Sequence, residues 1–186
     1  FLQNNCDGKI PLMDDLEEVD KVFLKKINIL VDDSYHAYQN YQLRKASLIM
    51  MELSDLANAY FDGKKPWKAK KENNIKHMND TIATCLYAVK NIALISYPII
   101  PTSANKIWHQ LGFAEDISSL DWFSIKEMQM LAGKKLPSPT PVFKKIEENQ
   151  IQELKMDLNN DKNLPEIKKE NLPALESIPS LKDRIS

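Results

Sequence analysis

The sequence has few glycines and few cysteines. Four glycines occur among 186 residues, against ten prolines. So few glycines disfavour both a fold built on many tight hairpins and a glycine-rich loop that cradles phosphates. The two cysteines, Cys6 and Cys85, lie far apart and form no CxxC pattern. We therefore expect two reduced thiols and a cytoplasmic location.

Long apolar runs and an excess of one charge are also missing. The most apolar stretch, NIALISYPII (91–100), is shorter than the roughly twenty residues that cross a bilayer, so we expect no membrane contact. The start has no features of a signal peptide. The chain begins at Phe1 without a methionine, and we interpret it as a piece of a longer protein. The formal net charge is -1, so any nucleic-acid binding must come from a local patch.

Patterns of catalytic and metal-binding residues are absent too. The three histidines are isolated and none has metal-ligand spacing, so we predict no metal site and no Ser-His-Asp arrangement. Glu17, Glu18 and Asp20 are interpreted as a solvated helix face. The sequence thus predicts no catalytic residue in this chain.

Four segments instead show the 3.6-residue apolar spacing of helices. The first follows Asp14 and Asp15 and extends from 16 to 38, and the second extends from 43 to 60. We predict that Asn40 caps the second helix and that Gly63 ends it. No sustained two-residue alternation indicates a sheet.

The third segment covers 75–96 and is ended by Pro98, and the fourth extends from about 101 to 111. We predict that Thr102 or Ser103 caps the fourth helix and that Gly112 ends it. Trp108 lies on its apolar face and is predicted to be in the core. Together these segments predict an all-α protein, an antiparallel bundle of four or five helices over 14–133.

The end of the chain is different in composition. After Ser118 we expect two short helices and a proline-rich extended piece. The last stretch, 159–186, has no aromatic residue, three prolines and many charges, so it has too little apolar surface to offset its ordering entropy. We predict a helical domain over 1–150 and a largely irregular linker or docking tail over 151–186.

One segment, DGKKPWKAKK (62–71), combines charge with an aromatic side chain. Its five lysines would attract phosphates, and a tryptophan beside them would give a base a stacking platform. Pro66 removes one backbone freedom and could hold the indole of Trp67 outward. The alternative is a solvated lysine surface with the tryptophan packed on the core, and composition alone favours that alternative.

Spacing between motifs adds a resemblance to a known family. The strings LANAYFDGKKPWKAKKEN and YPIIPTSANKIWHQLG closely resemble the anticodon-binding domain of methionyl-tRNA synthetases, and PTPVFKKIE (139–147) matches its closing element. The family shows an Ala-Asn-x-Tyr motif, then a Pro-Trp pair and a lysine four residues past the tryptophan. The resemblance covers residues 1 to about 150. The matching residues of the first motif are Ala57, Asn58, Tyr60, Pro66, Trp67 and Lys71.

The resemblance implies an α-helical bundle in which the tryptophan of the Pro-Trp pair stacks on the anticodon of methionine tRNA. That role falls on Trp67, supported by Pro66. Asn58 and Tyr60 match the motif, and their place at a helix end favours structural roles. Our own candidates for phosphate contacts are four lysines: Lys64, Lys65, Lys68 and Lys71.

The same resemblance implies a longer parent protein that attaches methionine to its tRNA. The nucleotide-binding signatures of such enzymes are absent here, so ATP and Mg²⁺ would belong to a catalytic domain of the same polypeptide upstream, and this chain alone should be inactive and hold no cofactor. An asparagine and an arginine that read the anticodon in the family would precede Phe1. In many members of the family a downstream module makes the enzyme a homodimer, whereas in others a C-terminal peptide packs back on the catalytic domain. The tail of this chain is compatible with both.

Two alternatives remain at this point. The first is a helical protein-interaction module without RNA binding, and the second is the anticodon domain of a related class I synthetase with another specificity. An exposed Trp67 favours anticodon binding, whereas a fully buried indole with lysines scattered over several faces favours the protein-interaction module.

Overall fold

The computed structural model describes residues 1–143, 148 and 151–152. The chain divides into two units, Phe1–Phe143 and Lys144–Ser186, and the helix bundle lies in the first unit. The predicted closing residues Ile146 and Glu147, and nearly all of the predicted tail, lie outside the described residues. The division at 150 stays a prediction.

Seven α-helices and one 3-10 turn form the described unit, and its residues contain no β-strand, so the predicted all-α class is confirmed. Among the described residues, one isolated antiparallel bridge pairs Lys9 with Lys135. The helices are α1 (Leu2–Asn5), α2 (Glu18–Gln39), α3 (Leu43–Lys64), α4 (Pro66–Lys71), α5 (Ile75–Ser96), α6 (Pro101–Gln110) and α7 (Trp122–Glu127), with the 3-10 turn at Ile117–Ser119.

Helix α5 is the centre of the bundle. It packs against α2, α3, α4, α6 and α7, while α2 also packs against α3. Consistent with that position, α5 is buried on more than one face, and its buried residues include Met78, Ile82, Ala88 and Leu94. Trp108 is completely buried in the core, as predicted.

Two predicted helix caps are wrong. Asn40 does not cap α3, because it is the residue that ends α2 and its side-chain amide donates to the carbonyl of His36 at 2.7 Å. The N-cap of α3 is Gln42. Helix α6 has Ile100 as its N-cap and Pro101 in its first turn, so neither Thr102 nor Ser103 is the cap. Proline suits the first turn because its missing N–H has no intrahelical partner there.

Gly63 does not end α3 either. The helix continues to Lys64, and Lys65 takes the left-handed conformation with φ 47° and ψ 58°. This single residue separates α3 from α4, so the lysine-rich segment is a sharp corner between two helices rather than a plain turn. Gly112, with φ +84°, follows α6 where the sequence predicted a stop.

Candidate nucleic-acid interface at the α3–α4 corner

Trp67 lies at the start of α4, immediately after the corner. Pro66 is buried, whereas the Trp67 side chain is 40% exposed. The indole is tilted against Phe61 of α3, with ring centroids 5.6 Å apart, and Phe61 in turn contacts Phe1 edge-on at 6.2 Å. One side of the indole thus rests on another aromatic ring while much of its surface remains open to solvent.

The other two tryptophans are placed differently. Trp108 stacks on Phe113 at 3.9 Å, and its indole N–H donates to the carbonyl of Glu115 at 2.8 Å. Trp122 is partly buried and packs against Tyr35 and Tyr38. Of the three, only Trp67 combines exposure with neighbouring positive charge.

Three of the four candidate phosphate-binding lysines are exposed. Lys65 forms the corner, and Lys68 and Lys71 lie on α4. Lys71 is four residues after Trp67, so the two side chains share a helix face. Lys68 makes a loose surface pair with Glu72 at 3.6 Å, and exposed pairs of this kind contribute little. Lys70 donates to the side-chain oxygen of Asn5 and thereby links α4 to α1.

Lys64, the fourth candidate, is not exposed to solvent like the other three lysines. Its side chain is 7% exposed, and its Nζ lies 2.8 Å from Asp20 Oδ1 and 3.0 Å from Glu17 Oε2. Burial alone would lower the pKa of Lys64, but the hydrogen bonds to these two carboxylates outweigh it and raise the pKa. The ammonium is therefore held charged inside the protein, so we do not keep Lys64 among the proposed phosphate contacts.

Tyr60 has a structural position. Its ring stacks on Phe23 with centroids 4.3 Å apart, and its hydroxyl donates to Asp20 Oδ1 at 2.7 Å. Burial, followed by that hydrogen bond, raises its pKa well above the ordinary range. Asn58 is exposed on α3, and its side chain makes no hydrogen bond among the residues that the structure describes.

Asp20 was interpreted from the sequence as part of a solvated face, and that interpretation is wrong. The residue is completely buried. Burial would raise the pKa of its carboxyl, yet hydrogen bonds from Lys64, Tyr60 and the backbone of Glu17 lower it. The hydrogen bond from the N–H of Glu17 to Asp20 Oδ2, at 2.9 Å, belongs to the first turn of α2. An acidic residue three positions after the N-cap residue, here Glu17, is a recognised capping pattern, and it could have indicated this role.

His77 completes the surroundings of the corner. Its Nδ1 lies 3.0 Å from Glu17 Oε1, and its Nε2 lies 3.0 Å from the carbonyl oxygen of Lys64. A depression of about 280 Å³ opens beside it, lined by residues of the corner and the first turn of α5, among them Lys65, Lys68, Asn74 and His77. Sequence reasoning identified neither His77 nor Phe61, because neither is a matched motif residue. His77 contacts Glu17, which is distant in sequence, and Phe61 meets Trp67 only because the chain turns sharply at Lys65.

The described residues contain no group of three or more His, Cys, Asp or Glu side chains that could hold a metal ion. No described helix is long and apolar enough to cross a bilayer. Cys6 and Cys85 are both free thiols.

Comparison with known proteins identifies the family. The family described as "Anticodon-binding domain of tRNA ligase" matches residues 20–172, and the chain belongs to it. Its curated relatives include methionine–tRNA ligases, such as that of Protochlamydia amoebophila, which is 42% identical over 82% of this chain and 22% of its own length. The enzyme of Pyrococcus abyssi is 30% identical over 81% of this chain and 20% of its own length. The chain therefore spans about a fifth of the length of these relatives.

Solved structures agree with this placement. The free form of the Mycobacterium tuberculosis methionyl-tRNA synthetase superposes with a TM-score of 0.67 at 25% identity, over 78% of this chain and 29% of that one. A second structure of that enzyme, described as bound by methionyl-adenylate, gives a TM-score of 0.65 over 77% of this chain and 28% of that one. These matches confirm the resemblance inferred from the motifs. They do not support the alternative of a protein-interaction module outside this family.

Proposed function

We propose that this chain binds the anticodon loop of methionine tRNA and that Trp67 supplies a stacking surface for an anticodon base. The observation that supports this most directly is the half-exposed indole on Phe61, in a chain whose relatives are methionine–tRNA ligases. RNA-binding proteins read unstacked loop bases with aromatic side chains of this kind. Lys65, Lys68 and Lys71 would contact phosphates on either side of the stacked base.

The same proposal extends to the protein of which this chain is part. We expect a catalytic domain of the same polypeptide to join methionine to the tRNA with ATP and Mg²⁺, in the cytoplasm. The methionyl-adenylate named for the Mycobacterium tuberculosis enzyme supports the use of ATP. Dimerisation through a downstream module stays a prediction.

Replacing Trp67 by alanine tests the proposal. A stacked base contributes about 1–3 kcal/mol, so Trp67→Ala should weaken binding of a stem-loop with the anticodon CAU by about 5- to 150-fold. Trp67→Phe, which keeps an aromatic face, should lose less. The measurement is a titration of labelled stem-loop into the full-length ligase that carries this chain, supported by the KM for tRNA in the charging reaction.

A matched control is Tyr41→Ala. Tyr41 is an aromatic residue with 91% exposure, and it lies at the opposite end of α3 from the corner. Its removal should leave stem-loop affinity unchanged. Equal binding by Trp67→Ala and the parent protein would contradict the proposed role of Trp67.

A further inference from the structure

We propose that Asp20, Lys64 and His77 are positioning residues for anticodon binding. With Glu17 and Tyr60 they form a hydrogen-bonded network behind the α3–α4 corner, and this network holds Trp67 in the orientation that receives a base. This inference rests on the proposed function of the chain.

The ion pair between Asp20 and Lys64 is the centre of the network. Asp20 is completely buried, and the Lys64 side chain is 7% exposed. Asp20 accepts three hydrogen bonds, from Lys64 Nζ at 2.8 Å, the Tyr60 hydroxyl at 2.7 Å and the Glu17 N–H at 2.9 Å. A buried carboxylate needs such partners, because an unpaired charge in the interior is costly. The pair therefore ties the last residue of α3 to the first turn of α2.

His77 holds the same residue from the opposite side. Its Nε2 lies 3.0 Å from the Lys64 carbonyl oxygen and its Nδ1 lies 3.0 Å from Glu17 Oε1. The side chain of Asn74 accepts from the N–H of His77 at 3.2 Å, which caps α5. Lys64 is thus held through its ammonium by α2 and through its carbonyl by α5.

These contacts act on Trp67 through a very short piece of chain. Only Lys65 and Pro66 lie between Lys64 and Trp67. Lys65 is in the left-handed conformation, which a residue with a Cβ rarely adopts without support. Pro66 has a fixed φ and is buried. With Lys64 held at both ends and these two residues constrained, the direction of α4 and the placement of the indole depend on the network.

A phosphate contact by Lys64 is the competing role, and salt dependence separates the two. A lysine that neutralises a phosphate releases counterions, so its loss lowers the slope of log affinity against log salt by about 0.7–0.9. A positioning residue changes affinity without changing that slope. The exposed Lys68 serves as the matched comparison, because we propose that it contacts phosphate directly.

The test uses the full-length ligase that carries this chain, labelled with 5-fluorotryptophan. The fluorine resonance that disappears in Trp67→Phe belongs to Trp67. The variants are Lys64→Met and the double change Asp20→Asn with Lys64→Met, which removes both charges and avoids an unpaired buried carboxylate. Both variants should shift the Trp67 resonance. Both should weaken binding of the CAU stem-loop by about tenfold, because a misplaced indole loses part of its stacking contribution. The salt slope and methionine-dependent pyrophosphate exchange should not change.

Lys68→Met should do the opposite, lowering the salt slope and leaving the Trp67 resonance in place. If circular dichroism shows that a Lys64 variant is unfolded, His77→Leu decides by the same measurements, because it removes the contacts of His77 with Lys64 and Glu17 and leaves the ion pair between Asp20 and Lys64 in place. Parent-like affinity in the folded variants, or a lower salt slope with an unmoved Trp67 resonance, would overturn the inference. Failure of the parent ligase itself to bind the stem-loop would instead contradict the proposed function.

Discussion

At the scale of single residues, the three tryptophans show how far local pattern predicts environment. Trp108 lies on a regular apolar face and is completely buried, as the spacing predicted. Trp67 lies in no periodic segment, and its half-exposed state depends on Phe61, which contacts it across the corner. Composition alone favoured a packed tryptophan, and the structure shows a residue that contacts Phe61 and is 40% exposed.

His109 predicts a pH dependence of stability. Its Nδ1 lies 2.9 Å from the carbonyl oxygen of Phe113 and its Nε2 2.8 Å from Asp116 Oδ1. The bond to Phe113, followed by that to Asp116, raises the pKa of His109. A group whose pKa is raised on folding stabilises the folded state, and its contribution is complete at pH values below the unfolded pKa, about 6.5 for histidine. The contribution is lost as the pH rises through the higher pKa of the folded state.

We therefore expect His109→Asn to lower the free energy of unfolding at pH 5.5 by more than at pH 8.5, as measured by urea unfolding. In an Asp116→Asn background, the pH dependence of this difference should shrink, because the negative charge that favours protonated His109 is lost. A difference that is constant over this pH range would contradict the argument.

The burial of Asp20 shows why part of the site could not be predicted. A run such as Glu17-Glu18-x-Asp20 at a helix start is typical of solvated acidic residues. Its side-chain partners, Tyr60 and Lys64, lie at least forty residues away in sequence. No local pattern identifies a pair of this kind without the packing of α2 against α3.

At the scale of elements, the long helices were predicted well and their ends were not. Periodicity located α2, α3, α5 and α6 because apolar residues recur at helical spacing along each of them. The ends depend on single contacts, such as the Asn40 side chain on the His36 carbonyl and the network that carries α3 beyond Gly63 to Lys64. These contacts outweigh the ordinary preference of glycine for a helix end.

Helix α7 is attached to the bundle through a buried lysine of α5. Lys90 is completely buried, and its Nζ donates to the carbonyls of Ile125 at 2.9 Å, Lys126 at 2.9 Å and Met128 at 2.8 Å. These groups lie at the C-terminal end of α7, where carbonyls lack intrahelical partners. An ammonium has three donors, so its capacity matches the acceptors present.

Lys90→Met should lower the free energy of unfolding by about 3 kcal/mol, because buried carbonyls lose their donor. Burial lowers the pKa of Lys90 to about 8, whereas a free lysine titrates near 10.4. The unfolded chain therefore binds the proton more tightly, and the advantage of the parent over Lys90→Met should grow between about pH 8 and 10.

Urea unfolding at pH 7 and pH 9.5 measures both effects. Lys126→Met is the control, since Lys126 is a partly exposed lysine of the same region that pairs with Asp32 at 2.6 Å. It should lower the free energy of unfolding by less at pH 7. A Lys90→Met protein as stable as the parent at pH 7 would show that the three hydrogen bonds contribute nothing.

At the scale of the whole molecule, a net charge of -1 conceals a local excess of positive charge. The exposed lysines of the corner and α4 form a compact patch, whereas Asp14 and Asp15 pair with Lys76 and Glu17 pairs with Lys64. Electrostatic attraction to RNA depends on such a patch and not on the total charge.

The combined variant Lys65→Gln, Lys68→Gln and Lys71→Gln should lower the salt slope of stem-loop binding by about 2, since each phosphate contact contributes about 0.7–0.9. Lys26→Gln is a matched control, because Lys26 is a half-exposed lysine paired with Glu52, and Glu52 lies about 18 Å along α3 from the corner at 1.5 Å per residue. It should leave the slope unchanged. A triple variant with the parent's slope would show that these lysines contact no phosphate.

The row of rings from Phe1 through Phe61 to Trp67 has a consequence for the entropy of binding. A side chain that already rests on a neighbour has little rotamer freedom left to lose when a ligand arrives. Phe61 thus bears part of the ordering cost within the folded protein, before RNA binds. On the proposed role of Trp67, the strength of its surface for a base would be a property of two helices, because Phe61 of α3 supports the indole of α4.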